Sequence, residues 1–127
     1  MTGTVDEIAE RLFTSIEKGD VEAVRALYAP DAVVWHNDDG VEQTVEQNLE
    51  VLGWVIDNLA ARSYDEVRRQ ATASGFVQQH VLRFTKADGS PQEIPACLVV
   101  ACDLEAGTIT RIDEYLDSAH VTARILG

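Results

Sequence analysis

The stretch Gly75-Phe76-Val77-Gln78-Gln79-His80-Val81-Leu82-Arg83-Phe84-Thr85 alternates on a two-residue period. A strand built from it carries Phe76, Gln78, His80, Leu82 and Phe84 on one side and Val77, Gln79, Val81 and Arg83 on the other. Turn-forming residues punctuate the chain around it, at Gly75, Asp88-Gly89 and Ala106-Gly107. Working outward, everything from Ser63 onward reads as a meander of four strands near 63–72, 75–85, 93–104 and 108–116. Strands joined by such short turns run antiparallel, and strands this long curl.

Upstream of Ser63 the period changes to that of a helix. Val5, Ile8, Ala9, Leu12, Phe13 and Ile16 recur at the spacing of an amphipathic helix, and Gly19 sits where its C-terminus would be capped. Asp20 can cap a second, short helix burying Val21, Val24 and Leu27, with Pro30 as its stop. Ala32 to Asn37 reads as a short strand ending in the turn Asn37-Asp38-Asp39-Gly40. Thr44 and Gln47 fit a capping box, followed by the apolar stripe Val45, Leu49, Leu52, Ile56 and Leu59. One more helical turn is expected within Ser118 to Gly127. There is no internal repeat or linker, so residues 1–127 are expected to form a single α+β domain. Its expected shape is a cone, with N-terminal helices packed on a curved, mainly antiparallel sheet around an apolar interior.

Composition narrows the class of function. A chain of 127 residues that is 46% hydrophobic can build one core and is not disordered. Its 10 basic and 22 acidic residues leave a net charge of −12, which disfavours nucleic-acid and anionic-membrane partners. The longest apolar run, Ala96 to Cys102, is far shorter than the roughly 20 residues of a membrane span. The N-terminus lacks a basic start followed by an apolar stretch, so an untargeted, cytoplasmic chain is expected. Cys97 and Cys102 fall on opposite faces of one strand, which predicts free thiols. No Cys/His cluster has zinc spacing, and neither metal nor cofactor is expected.

Three places put polar groups on apolar faces. His80 shares its face with two phenylalanines and a leucine, where an imidazole must find a hydrogen-bond partner or lose its proton. Gln78 lies one step along the same face. In the last strand Glu114 shares a face with Ile112 and Leu116, and a carboxylate on an apolar wall needs pairing or protonation. A carboxylate and an imidazole facing one cavity are the minimum equipment for general acid–base chemistry. Each also has a structural reading, His80 as a bonded core histidine and Glu114 as a solvated residue in a shifted register. The third place is Trp35-His36-Asn37, where adjacent residues take opposite faces, so either His36 or the pair Trp35 and Asn37 lines the pocket.

The runs Gly19-Asp20, Leu27-Tyr28-Ala29-Pro30-Asp31-Ala32-Val33-Val34-Trp35-His36-Asn37 and Gly107-Thr108-Ile109-Thr110-Arg111-Ile112-Asp113-Glu114-Tyr115-Leu116-Asp117 resemble SnoaL-like members of the nuclear-transport-factor-2-like superfamily. That superfamily includes ketosteroid isomerases, polyketide cyclases and limonene-epoxide hydrolases. By resemblance to the hydrolases, Glu114 falls at an acidic residue acting as acid or base. Gln78 and His80 replace an arginine and an aspartate, and Trp35 and Asn37 match the tyrosine and asparagine that hold the hydrolytic water. By resemblance to the isomerases, the catalytic tyrosine falls near Leu12, the protonated aspartic acid near Val99 and the base near His36. The His/acid pair is more similar to the cyclase branch, in which an acidic residue takes a proton from an activated carbon.

The residues and the resemblance together imply a cofactor-independent lyase, isomerase or hydrolase acting on a small apolar, carbonyl-containing or epoxide compound. His80 and Glu114 are its expected catalytic pair, with Trp35, His36, Asn37 and Gln78 as candidate substrate contacts. The rival expectation is a binding or interaction domain that uses the same pocket without chemistry. A homodimer is expected as well, since Val77, Val81, Cys97, Val99 and Ala101 would lie on the sheet face away from the helices.

Overall fold

The computed structural model describes residues 4–121 and 124. Helix α1 (Val5–Lys18) begins in a capping box made by Thr4 and Glu7 and ends at Gly19, whose φ of 77° is the left-handed cap. Its stripe Ile8, Ala9, Leu12, Phe13 and Ile16 is buried. Asp20 caps α2 (Val21–Leu27) by accepting from the Ala23 N–H, and Val24 and Leu27 are buried. The chain then enters β1 (Tyr28–His36) directly. This strand starts earlier than the expected Ala32, and Pro30 lies inside it. The ladder explains why this is tolerated: the β1–β6 register shifts between Tyr28 and Val33, and proline needs no partner for a missing N–H at such an irregularity.

After the turn comes β2 (Glu42–Gln43), too short to leave a sequence signal, and then α3 (Val45–Asn58) behind the Thr44/Gln47 capping box. The meander follows as β3 (Ala60–Ala71), β4 (Gly75–Thr85), β5 (Pro91–Asp103) and β6 (Thr108–Leu116). The final turn α4 covers Ser118–Val121, and the remainder of the expected last helical segment lies outside the described residues apart from Arg124.

The strands form one curved sheet in the order β2-β1-β6-β5-β4-β3. All pairs are antiparallel except β1 with β6, which is parallel because the helical segment α3 and the meander intervene between them. Helices α1–α3 cover one face, and the core of Phe76, Leu98, Val100, Ile109 and Ile112 meets Ile8, Leu12 and Phe13 across that layer. The fold is therefore the expected α+β cone.

Strand β3 departs from simple alternation. Its pairing with β4 shifts between Ala60 and Ser63 and again between Asp65 and Arg68, with Ala61 (φ 51°) and Glu66 (φ 53°) in the left-handed region. These bulges re-aim side chains. Tyr64 and Arg69, five apart, both reach the helix-covered face: Tyr64 lines the interior, and Arg69 binds Gln78. At the start of β4, Gly75 has a physical reason to be glycine. A Cβ there would lie 1.9 Å from the Val100 carbonyl oxygen, so no side chain fits between β4 and β5.

Candidate active site

Between α1, α3 and the inner face of the sheet lies a cavity of about 340 Å³. Apolar residues such as Leu12, Phe13, Leu52, Leu82, Ile94 and Leu116 form most of its wall. Polar groups interrupt it at His36, Glu114, Tyr28, Tyr64, Asn48 and Gln43, with Asp38 and Asp39 contributed by the β1–β2 turn.

The central pair is made by the parallel seam of the sheet. His36 ends β1 directly across from Glu114 on β6, and its Nε2 lies 2.9 Å from Glu114 Oε1. Both side chains are only about one-fifth exposed, 20% and 22%. Burial by itself would lower the pKa of His36. The hydrogen bond with Glu114, and the negative charges of Glu114, Asp38 and Asp39, outweigh it and raise the pKa above the ordinary 6.5. The charge on Glu114 also reaches both phenols. Burial, reinforced by that carboxylate, holds Tyr28 and Tyr64 well above the ordinary tyrosine range, so both stay protonated as neutral hydrogen-bond donors.

His80 is placed differently. It is 4% exposed and, against expectation, is not among the residues that line the cavity: it packs behind two that are, with its ring 4.7 Å from Tyr64 and 5.3 Å from Phe13 in edge-on contacts. Its Nδ1 lies 2.9 Å from Gln78 Nε2. Arg69 settles which group donates: its Nε can only donate, and it donates to Gln78 Oε1 at 2.9 Å. Gln78 Nε2 must then donate to His80 Nδ1, which leaves the His80 proton on Nε2. Burial pushes the His80 pKa down, opposed by the Glu114 charge, in agreement with a neutral ring. Arg69 is itself held by Asp6 and Glu10 on α1, at 3.1 and 3.2 Å.

Of the candidates read from sequence, the structure therefore brings His36 and Glu114 together. His80 and Gln78 bond each other behind the cavity lining, and the hydrogen-bond partner of Glu114 is His36 rather than His80. Of the two alternatives at β1, His36 faces the cavity. Trp35 packs on the opposite face against Tyr115, with ring centroids 5.3 Å apart. Asn37 extends the seam, its N–H donating to the Glu114 carbonyl at 3.0 Å and its Oδ1 accepting from the Leu116 N–H at 2.9 Å.

Sequence reasoning passed over Tyr28, Gln43, Asn48, Tyr64, Asp38 and Asp39 as pocket groups. Asn48 had a usable signal, being a polar residue on the α3 stripe three after Val45 and one before Leu49. Tyr64 had none, because the bulges of β3 break the alternation that would have revealed its face. Among the described residues no three His, Cys, Asp or Glu side chains are grouped to hold a metal ion, and no helix is long and apolar enough to cross a membrane.

Fold and site together define a cone-shaped α+β domain with an ionisable pair in the wall of an apolar pocket. Residues 9–112 match the SnoaL-like domain family, and the chain belongs to it, within the nuclear-transport-factor-2-like superfamily. None of the curated proteins matches the chain at a significant level. Among solved structures, the chain is similar to the proposed polyketide cyclase IdmH of Streptomyces antibioticus, with a TM-score of 0.82 at 19% identity, covering 98% of this chain and 100% of that one. A proposed SnoaL-like polyketide cyclase of Shewanella denitrificans superposes with a TM-score of 0.80 at 11% identity, over 96% of both chains. A Catenulispora acidiphila protein of ketosteroid isomerase-like fold, solved in complex with trimethylamine, gives 0.80 at 15% identity over 95% of this chain and 93% of that one. Likeness at such identities speaks for the fold alone.

Proposed function

We propose that this chain is a cytoplasmic, cofactor-independent enzyme of the isomerase or cyclase kind, acting on a small, largely apolar carbonyl compound. The observation that carries the reading is the Glu114–His36 pair in the wall of an apolar cavity, with neutral phenols close enough to feel the carboxylate. In this reading Glu114 takes a proton from the carbon next to the substrate carbonyl. The C–H electron pair moves into a new C=C bond, and charge develops on the carbonyl oxygen. Tyr64 donates a hydrogen bond to that oxygen. Return of the proton to a different carbon gives an isomer, whereas attack of the enolate carbon on a second carbonyl closes a ring. His36 stabilises the ionised carboxylate between turnovers, and His80, fixed by Gln78, supports the Tyr64 ring.

One observation favours the rival reading as a binding domain: His36 and Glu114 already satisfy each other and tie β1 to β6 without a ligand. Exchange at carbon separates the two. With 1-indanone in D₂O near neutral pH, an enzyme of this kind accelerates the loss of the C2 proton signals, with saturation in ketone. A binder leaves the exchange at the buffer rate.

We also propose that the chain works as a homodimer through the outer sheet face. Trp35 and Tyr115 meet edge to face there, Val67, Val99 and Tyr115 are 44%, 42% and 47% exposed, and Val77, Val81 and Cys97 continue the surface. A chain with a net charge of −12 repels its own copies, so an apolar two-fold contact would have to supply the attraction. Light scattering at micromolar concentration should return about twice the 13.9 kDa chain mass, and the monomer mass would refute the dimer.

A further inference from the structure

The cavity holds a second set of polar groups: Tyr28 at the opposite end of β1 from His36, Asn48 on α3 and Gln43 on β2. The Tyr28 hydroxyl donates to Asn48 Oδ1 at 2.8 Å, and Asn48 Nδ2 donates to Gln43 Oε1 at 3.1 Å. All three side chains line the cavity. An amide nitrogen carries two hydrogens, so one N–H of Asn48 and both of Gln43 Nε2 have no acceptor among the described residues. Asn48 is 92% buried, at 8% exposed, which removes its spare donor from bulk solvent. A buried donor without an acceptor is costly, and an apolar residue at this place on the α3 stripe would avoid the cost.

The charges around the cavity narrow what can fill it. Asp38, Asp39 and Glu114 line it, and no lysine or arginine is among its lining residues. An anionic group would meet three carboxylates with His36 as the one positive partner, already engaged by Glu114. We propose that Asn48, oriented by Tyr28 and Gln43, is a subsite for an uncharged acceptor oxygen of the ligand, a carbonyl, ester or ether, and that ligands carrying a carboxylate are rejected. At about 340 Å³ the cavity is at the small end of ligand sites, which suits a compound of one or two rings. The proposal rests on the cavity being the ligand site and does not require Glu114 to act as a base.

The test measures binding and therefore stands whether or not the chain turns anything over. Dissociation constants are measured by NMR titration for 1-indanone, for its hydrocarbon parent indane, and for indane-1-carboxylate. The unaltered protein should prefer the ketone to the hydrocarbon by about tenfold, the worth of one neutral hydrogen bond, and bind the carboxylate most weakly. In Tyr28→Phe/Asn48→Leu the ketone preference should collapse to about one. Replacing both partners by apolar groups of similar shape leaves no orphan between Tyr28 and Asn48, the half-buried Gln43 Oε1 loses its Asn48 donor, and thermal melting checks that the fold persists. Asn48→Asp, which exchanges the donor for an acceptor, should also abolish the preference and serves if the double variant does not fold. A ketone preference that survives these changes, or a carboxylate that binds as tightly as the ketone, overturns the proposal.

Discussion

Replacing Arg62 by Met is expected to lower stability by about 3 to 5 kcal/mol, a large part of what a domain of this size has. The guanidinium donates to four carbonyl oxygens: Ile16 at 3.0 Å, Glu17 at 3.2 Å, Ile56 at 3.1 Å and Leu59 at 2.6 Å. These belong to the last turns of α1 and α3, where carbonyls have no partner in their own helix and a cation is favoured by the helix dipole. One side chain thus joins the C-termini of two helices to the start of β3, and methionine keeps its apolar stem while removing every donor. Gly19 makes room for the arrangement, since a Cβ there would lie 3.3 Å from an Arg62 nitrogen and 3.1 Å from Ile56. The fall in melting temperature should be roughly 10 to 20 °C. A change of only a degree or two would show that water replaces the guanidinium at both helix ends.

Replacing Glu114 by Gln should reduce carbon-acid turnover by about 10²- to 10⁴-fold, the usual contribution of a positioned general base, or about 3 to 5.5 kcal/mol in the barrier. Glutamine keeps the shape and can still hydrogen-bond His36, so the fold and the affinity for 1-indanone should change little. The loss should therefore fall on kcat rather than on KM. Undiminished exchange in Glu114→Gln would remove Glu114 as the base and leave His36 as the remaining titratable group of the pair.

The elements of the fold were legible because their signals are local. Thr44 with Gln47, Gly19 after Ile16, and the alternation of Phe76 to Phe84 each report on a few neighbouring residues. The site was legible only in part, because it depends on which strands become neighbours. Gln78, Leu98, Glu114 and His36 lie in one row across four strands, through register partners far apart in sequence. Alternation placed Glu114 and His80 on inner faces, but it carried no information that β1 would run parallel to β6 and bring His36 to the carboxylate. Nor could it follow β3 through two bulges to Tyr64. At β1 the choice between His36 and the pair Trp35 and Asn37 depends on the side taken by the helices, which no residue within the strand encodes.

The most direct measurement is the NMR titration of the His36 ring, with and without its partner. Glu114 and His36 form one coupled pair, in which the carboxylate and the neighbouring aspartates outweigh the burial of the imidazole. A raised folded pKa also stabilises the protein below the unfolded value, and that contribution is lost as the pH rises through the folded one. The predicted midpoint for His36 lies above 6.5 in the unaltered protein and drops in Glu114→Gln, where burial is left with only Asp38 and Asp39 to oppose it. A midpoint at or below 6.5, or one that Glu114→Gln does not move, would contradict the pair on which the account depends.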